Sequence, residues 1–237
     1  MPLSTTVRNM RTLGATVLVL GAIGFASGCS STTQGSKGDI KFSGFLKNYD
    51  QLKPATDEGM LYGYVEPKLN LSSYNKIIVD NPKVMITPEK RKKVGDEPLT
   101  ALTNYFDQAL RTKLGEKWEL VKEPGPGVLR LRTAISELSG ATTELSLFTN
   151  VIPQTATLNK IFSWTTSEHP FAASVAGEAE LVDSNTGKRL FAVVDMRVGT
   201  NMVTNSFSTW GEVKDAFDYW AARAATRLLK WGMSPTK

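Results

Sequence analysis

The chain has 237 residues, with 28 Lys and Arg against 23 Asp and Glu, a formal charge of +5, one cysteine and one histidine. One Cys and one His exclude zinc-type ligand sets and any internal disulfide, so no metal is expected. So mild a charge, with bases interleaved among acids, carries no nucleic-acid footprint.

Arg8 and Arg11 precede an apolar run from Leu13 to Phe25, which the small residues Ala26, Ser27 and Gly28 follow. That order reads as a secretory signal peptide over residues 1–28. Its run of 13 residues falls short of the ~20 that a membrane-crossing helix needs. Small residues directly before Cys29 resemble the bacterial lipobox, with Ala26 where that pattern prefers leucine. The resemblance implies cleavage between Gly28 and Cys29, a diacylglycerol on the thiol and an N-acyl chain on the new amine, and no other cofactor. Ser30, where aspartate would favour inner-membrane retention, implies sorting to the outer membrane, with the protein lipid-anchored on its periplasmic face. Each buried methylene contributes ~0.8 kcal/mol, so one chain binds marginally while two or more anchor stably. Loss of residues 1–28, with Arg8 and Arg11, leaves 209 residues carrying +3, enough for one domain with a substantial core.

Residues 29–38 read as the lipid-attachment site and a flexible polar tether, and 39–237 as a single α+β domain. Phe42, Phe45, Leu46, Tyr49 and Leu52 fall at helix-like spacing before Pro54, predicting an amphipathic turn or two whose aromatics cover an edge of the core or, alternatively, touch the membrane surface next to the lipid. Ile77, Ile78 and Val79 form a short β-branched run suited to a strand buried on both faces. PEKRKKVGDE then reads as a solvated charged loop, with docking of Lys90 to Lys93 on anionic lipid or glycan as the alternative. Asp96 and Pro98 open an amphipathic helix through Leu114, with Leu99, Leu102, Phe106, Ala109, Leu110 and Leu114 on one stripe.

WELVKEPGPGVLRLRTAI reads as strand, Pro-Gly turn, strand, with Arg130 and Arg132 opposite Leu129, Leu131, Thr133 and Ile135. FAASVAGEAELVDSNTGKRLFAVVDMRV is the clearest hairpin. Its alternation puts Glu178, Glu180, Arg189, Asp195 and Arg197 on one charged face, away from Leu190, Ala192, Val194 and Met196. STWGEVKDAFDYWAARAATRLLKWG closes the chain as a second helix burying Trp210, Val213, Phe217, Trp220, Ala224, Leu228 and Trp231, with Thr209 and Glu212 as a capping box. The fold class that follows is α+β: a two-layer sandwich of a mainly antiparallel sheet with two amphipathic helices on one face.

SGFLKNYDQLKP (43–54), YVEPKLNLSSYNKIIVDNPKV (64–84), PGPGVLRLRTAI (124–135), VAGEAELVDSNTGKRLFAVVD (175–195) and WGEVKDAFDYWAAR (210–223) occur in order along nearly the whole mature chain. Together they resemble the bacterial lipoprotein family called domain of unknown function 3313. The resemblance implies a Gram-negative envelope lipoprotein with no agreed activity.

No glycine-rich phosphate loop or nucleophile elbow is present, and His169, ahead of Pro170, is a poor base for a catalytic triad. Glu178 and Glu180 stand ~7 Å apart along one strand, a spacing compatible with glycosidase carboxylates. The arginines placed around them favour cross-strand ion pairs instead. Residues 139–170 form a long insertion with three full charges and a wealth of apolar residues. Either it folds over the sheet as extra helical turns, or it presents Leu147, Phe148, Ile152, Phe162 and Trp164 as a candidate contact surface for membrane, lipid or an envelope protein partner. The reading is a non-enzymatic binding or adaptor module of the cell envelope. A carrier of a lipid or other amphiphile is the alternative, and a glycan hydrolase using Glu178 or Glu180 a more distant one.

Overall fold

The computed structural model describes residues 32–57, 59–139, 173–199 and 210–236. Strands are β1 (Thr32–Gln34), β2 (Lys53–Pro54), β3 (Tyr62–Val65), β4 (Lys76–Val79), β5 (Lys83–Val84), β6 (Glu119–Leu120), β7 (Val128–Ser139), β8 (Ser174–Asp183) and β9 (Arg189–Gly199). Helices are α1 (Pro88–Val94), α2 (Asp96–Gly115) and α3 (Gly211–Lys230). One sheet runs β2-β3-β9-β8-β7-β4-β6, with β1 also on β9 and β5 also on β7. β7, β8 and β9 are joined antiparallel, whereas β4, β5 and β6 add in parallel. The class is the expected mainly antiparallel α+β.

Both long helices form where period and caps agree. In α2, Leu99, Leu102, Phe106, Leu110 and Leu114 are buried, and Asp96 and Glu97 sit in the first turn, where the helix dipole favours acids. In α3, Val213, Phe217 and Leu228 are buried, and Trp210, Trp220 and Trp231 pack against the same core. Phe106 of α2 stacks on Phe217 of α3 with ring centroids 4.5 Å apart. Beneath them lie Ile77, Val79, Leu129, Leu131, Ile135 and Leu181 of the sheet. Each such side chain contributes about 1.5–3 kcal/mol on full burial, so this layer holds the fold. Ile77, Ile78 and Val79 are all buried, as a parallel strand covered on both sides requires.

Several local expectations are corrected by long-range pairing. WELVKEPGPGVLRLRTAI is no hairpin, because β6 pairs with β4, which separates it from β7. The charged loop contains α1, capped by the Thr87 side chain with Pro88 in its first turn. Glu212 Oε2 accepts the Ala173 N–H at 3.0 Å, and the expected capping box with Thr209 lies outside the described residues. Residues 40–52 contain no helix. They cross the second sheet face as a strap, packing Phe45 and Leu46 on Ala134, Ala192 and Val194.

The tether is also shorter than read, since Thr32–Gln34 is strand β1, antiparallel to Arg197–Gly199. Thr32 is buried, and its hydroxyl accepts from Arg197 Nε at 3.2 Å while its carbonyl accepts from Arg197 Nη2. Two threonines favour a strand when an edge is open to pair with.

The largest correction concerns side-chain direction in β9. Val182 pairs with Arg189 but Leu181 pairs with Phe191, leaving Leu190 as an extra residue in the ladder. One extra residue reverses every later side chain. Arg189 therefore keeps the face of Glu178 and Glu180, as Ala192 and Val194 do. Asp195, opposite Gly177, and Arg197, opposite Val175, turn to the helix face.

Candidate functional site

On the strap face, Glu178 and Glu180 are 1% and 4% exposed, and both carboxylates are engaged by neighbouring groups. Glu178 Oε1 accepts the Ser43 N–H at 2.7 Å and its Oε2 accepts the Tyr49 hydroxyl at 2.6 Å. The same hydroxyl accepts from the Gly44 and Leu46 N–H groups at 2.8 and 3.2 Å. Burial, then the Glu178 bond, pushes the Tyr49 phenol above its ordinary value, keeping it a donor. Glu180 is gripped by Arg132 and by Arg189, whose Nη2 lies 3.0 Å from Oε2. Arg189 Nη1 also donates to the Asn48 carbonyl at 2.7 Å. The two glutamates serve different partners, and both fasten the strap to the sheet. Fully satisfied networks of this kind fix a unique arrangement of the layers they join.

On the helix face, the bulge delivers Asp195 beneath α3. Its Oδ2 accepts the Trp220 indole N–H at 2.8 Å and its Oδ1 accepts Gln34 Nε2 at 2.9 Å. Burial pushes the Asp195 carboxyl above the usual range, against the lowering effect of those bonds and of Arg197. Arg197 places its guanidinium 4.0 Å from the centre of the Tyr219 ring, within cation–π range. Arg227 of α3 is 9% exposed and donates to the Gly59 carbonyl at 3.2 Å. Burial, then the neighbouring Arg223, pulls it below its ordinary value.

Beside this group lies a cavity of about 70 Å³, walled by Ile77, Phe106, Leu131, Leu181, Trp220 and Trp231. Thr133, Glu178, Asp195 and Arg227 are the polar residues of its lining. Thr133 Oγ1 is buried without a hydrogen-bond partner. Small-molecule sites run to about 300–1,000 Å³, so this space suits a very small guest and not an acyl chain. Among the described residues, no cluster of three or more His, Cys, Asp or Glu could hold a metal ion.

Gly28, Cys29, Ser30, Leu147, Phe148, Ile152, Phe162, Trp164 and His169 lie outside the described residues. The reading of the residues missed the Asp195–Trp220–Gln34 cluster. The consecutive bulky pair Leu190-Phe191 was the available signal, because strict alternation cannot seat both on one face.

A family model described as protein of unknown function (DUF3313) matches residues 41–224. The chain belongs to the DUF3313 family. The uncharacterized lipoprotein YdcL of Escherichia coli K12 is 29% identical over 183 residues, covering 76% of this chain and 80% of the relative. Among solved structures, the PelC dodecamer from Paraburkholderia phytofirmans aligns at 10% identity over 73% of this chain and 95% of that one, with a TM-score of 0.37. Lipoprotein GNA1162 from Neisseria meningitidis aligns at 13% identity over 66% and 99%, with a TM-score of 0.31.

Proposed function

We propose that this DUF3313 protein is an outer-membrane lipoprotein acting as a non-enzymatic binding or adaptor module of the envelope. Cleavage between Gly28 and Cys29 exposes the cysteine that carries the diacylglycerol and N-acyl chains, and Ser30 directs sorting to the periplasmic face of the outer membrane. The observation that carries the non-enzymatic reading is the use of Glu178 and Glu180. The carboxylate pair that its strand spacing suggested for acid–base work is buried and spent on joining strap to sheet. A folded domain whose polar centres are so engaged offers its partners an anchored surface. The insertion, with Leu147, Phe148, Ile152, Phe162 and Trp164, supplies the contact to an envelope protein.

Growth with radioactive palmitate tests the anchor: label on the wild type, lost in Cys29→Ala, is expected, and an unlabelled protein that washes into buffer refutes it. In-cell crosslinking tests the adaptor role. Replacing 140–170 by a short linker should abolish partner adducts while the core stays folded, and unchanged adducts reject that contact. Carriage of a lipid or other amphiphile is the rival reading, and the cavity beside Asp195 and Arg227 is too small to hold an acyl chain. Stoichiometric lipid in mass spectra of gently extracted protein would put the carrier ahead.

A further inference from the structure

Strand β1 limits how far the folded domain stands from its anchor. From Cys29 to Thr32 is three residues, which span at most about 11 Å when fully extended. Thr32 is held in the sheet opposite Gly199. Gly35 N–H donates to the Met196 carbonyl at 2.8 Å, and Arg197 grips Thr32 from the side. The anchor thus meets the domain at one defined end of the sheet.

The same end gathers Ser139, which closes β7, and Ser174, which opens β8 opposite it. α3 begins there, since Glu212 of its first turn takes the Ala173 N–H. α1 stands there too. β5 runs parallel to β7 with Val84 opposite Ile135, and Lys90 of α1 forms an ion pair with Glu137, two residues before the end of β7. α1 carries Lys90, Arg91, Lys92 and Lys93 in succession, the last three exposed. Lys90 is paired with Glu137 and Arg91 with Asp96, and Glu89 and Glu97 formally balance Lys92 and Lys93, so the acyl chains hold the protein and the exposed lysines only orient it. The opposite end bears the β8–β9 turn at Asn185, about 35 Å away along the eleven residues of β9 at ~3.3 Å per residue.

The geometry points to docking of this end of the sheet on the phospholipid bilayer that holds the Cys29 acyl chains. The α1 bases lie at the level of the headgroup phosphates, and the Asn185 turn faces away from the membrane. The inference rests on the Cys29 anchor proposed above and adds an orientation that a flexible tether would not impose. Short basic segments next to a membrane anchor are attracted to anionic headgroups within a Debye length of the surface.

With Cys29 acylated, an introduced cysteine is the single thiol of the full lipidated chain. Glu97→Cys at the anchor end and Asn185→Cys at the far end are labelled with a donor fluorophore. The protein is reconstituted in phosphatidylethanolamine–phosphatidylglycerol vesicles bearing a headgroup acceptor. Energy transfer from position 97 is expected to exceed that from 185 several-fold. An insert of about twelve Gly and Ser residues between Ser31 and Thr32 should bring the two values together, because such a chain reaches ~20 Å as coil. Equal or reversed transfer without the insert overturns the orientation. Unchanged transfer in Lys92→Glu/Lys93→Glu removes the headgroup contact. Flotation with the vesicles separates the two levels: protein that floats but shows no preference sinks the orientation alone, and protein that does not float sinks the anchor and the orientation with it.

Discussion

Glu178→Ala removes the acceptor that joins the strap to the sheet. Ser43 N–H and the Tyr49 hydroxyl, at 2.7 and 2.6 Å from the carboxylate, are left facing a site that is 1% exposed. Each polar group stranded in a buried site costs about 1–3 kcal/mol, so the loss in unfolding free energy is about 2–6 kcal/mol. Glu178→Gln keeps one acceptor oxygen for Ser43 and should cost about 1–2 kcal/mol. Tyr49→Phe removes the other half of the bond and the acceptor used by Gly44 and Leu46. In a double-mutant cycle the pair should couple, because two changes at one bond are not additive. Urea unfolding gives the free energies, and amide exchange at residues 43–49 reports whether the strap lifts first. A loss below about 1 kcal/mol in Glu178→Ala, or unaltered exchange in the strap, would refute the fastening role. Glycan turnover by the wild type that disappears in Glu178→Gln with stability intact would return this residue to catalysis.

Gly177→Ala puts a Cβ 2.9 Å from the Trp220 ring, which its bond to Asp195 holds in place. Overpacking should cost about 1–3 kcal/mol, and Trp220→Phe in the same chain should recover part of it in thermal melts. Tyr74 and Tyr105, whose phenols are pushed up to about 12 by burial and by Asp183 and Asp218 respectively, should tie alkaline stability to those bonds. Their folded values lie above the usual ~10, so the stability they add is full below about pH 10 and is lost as pH rises toward 12. Tyr74→Phe and Tyr105→Phe should flatten that descent in the melting temperature. Asp195 gives the opposite pattern from a salt-bridged carboxylate. Its folded value is raised by burial, so the folded state binds its proton more tightly, and the stability of the wild type relative to Asp195→Asn should fall as pH rises from the ordinary carboxylate range to the raised one. A relative stability that grows with pH across that window would show the surrounding cations, not burial, to dominate.

What the amino-acid sequence determines by itself is set over a few turns or a few residues. Leu99 to Leu114 and Val213 to Leu228 declare α2 and α3 because apolar residues every three or four positions have one arrangement that buries them all. The β8–β9 turn is equally local: Asp183 Oδ1 accepts from the Asn185 and Thr186 N–H groups, and Gly187 takes φ of +72°, a conformation that favours glycine. The α+β class follows from the order of those elements, and the leader and Cys29 are read as a linear signal. Only the tertiary structure decided which strands are neighbours and which way β9 faces. β6 lies beside β4, and β1 reaches across more than 160 positions to β9, because open backbone groups pair with whatever edge the packed layers bring near. Leu190, one residue inserted in a ladder of period two, moved Asp195 and Arg197 from the strap face to the helix face. The alternation of the chain is the same in either phase, and the hydrogen-bond register to β8 alone selects between them.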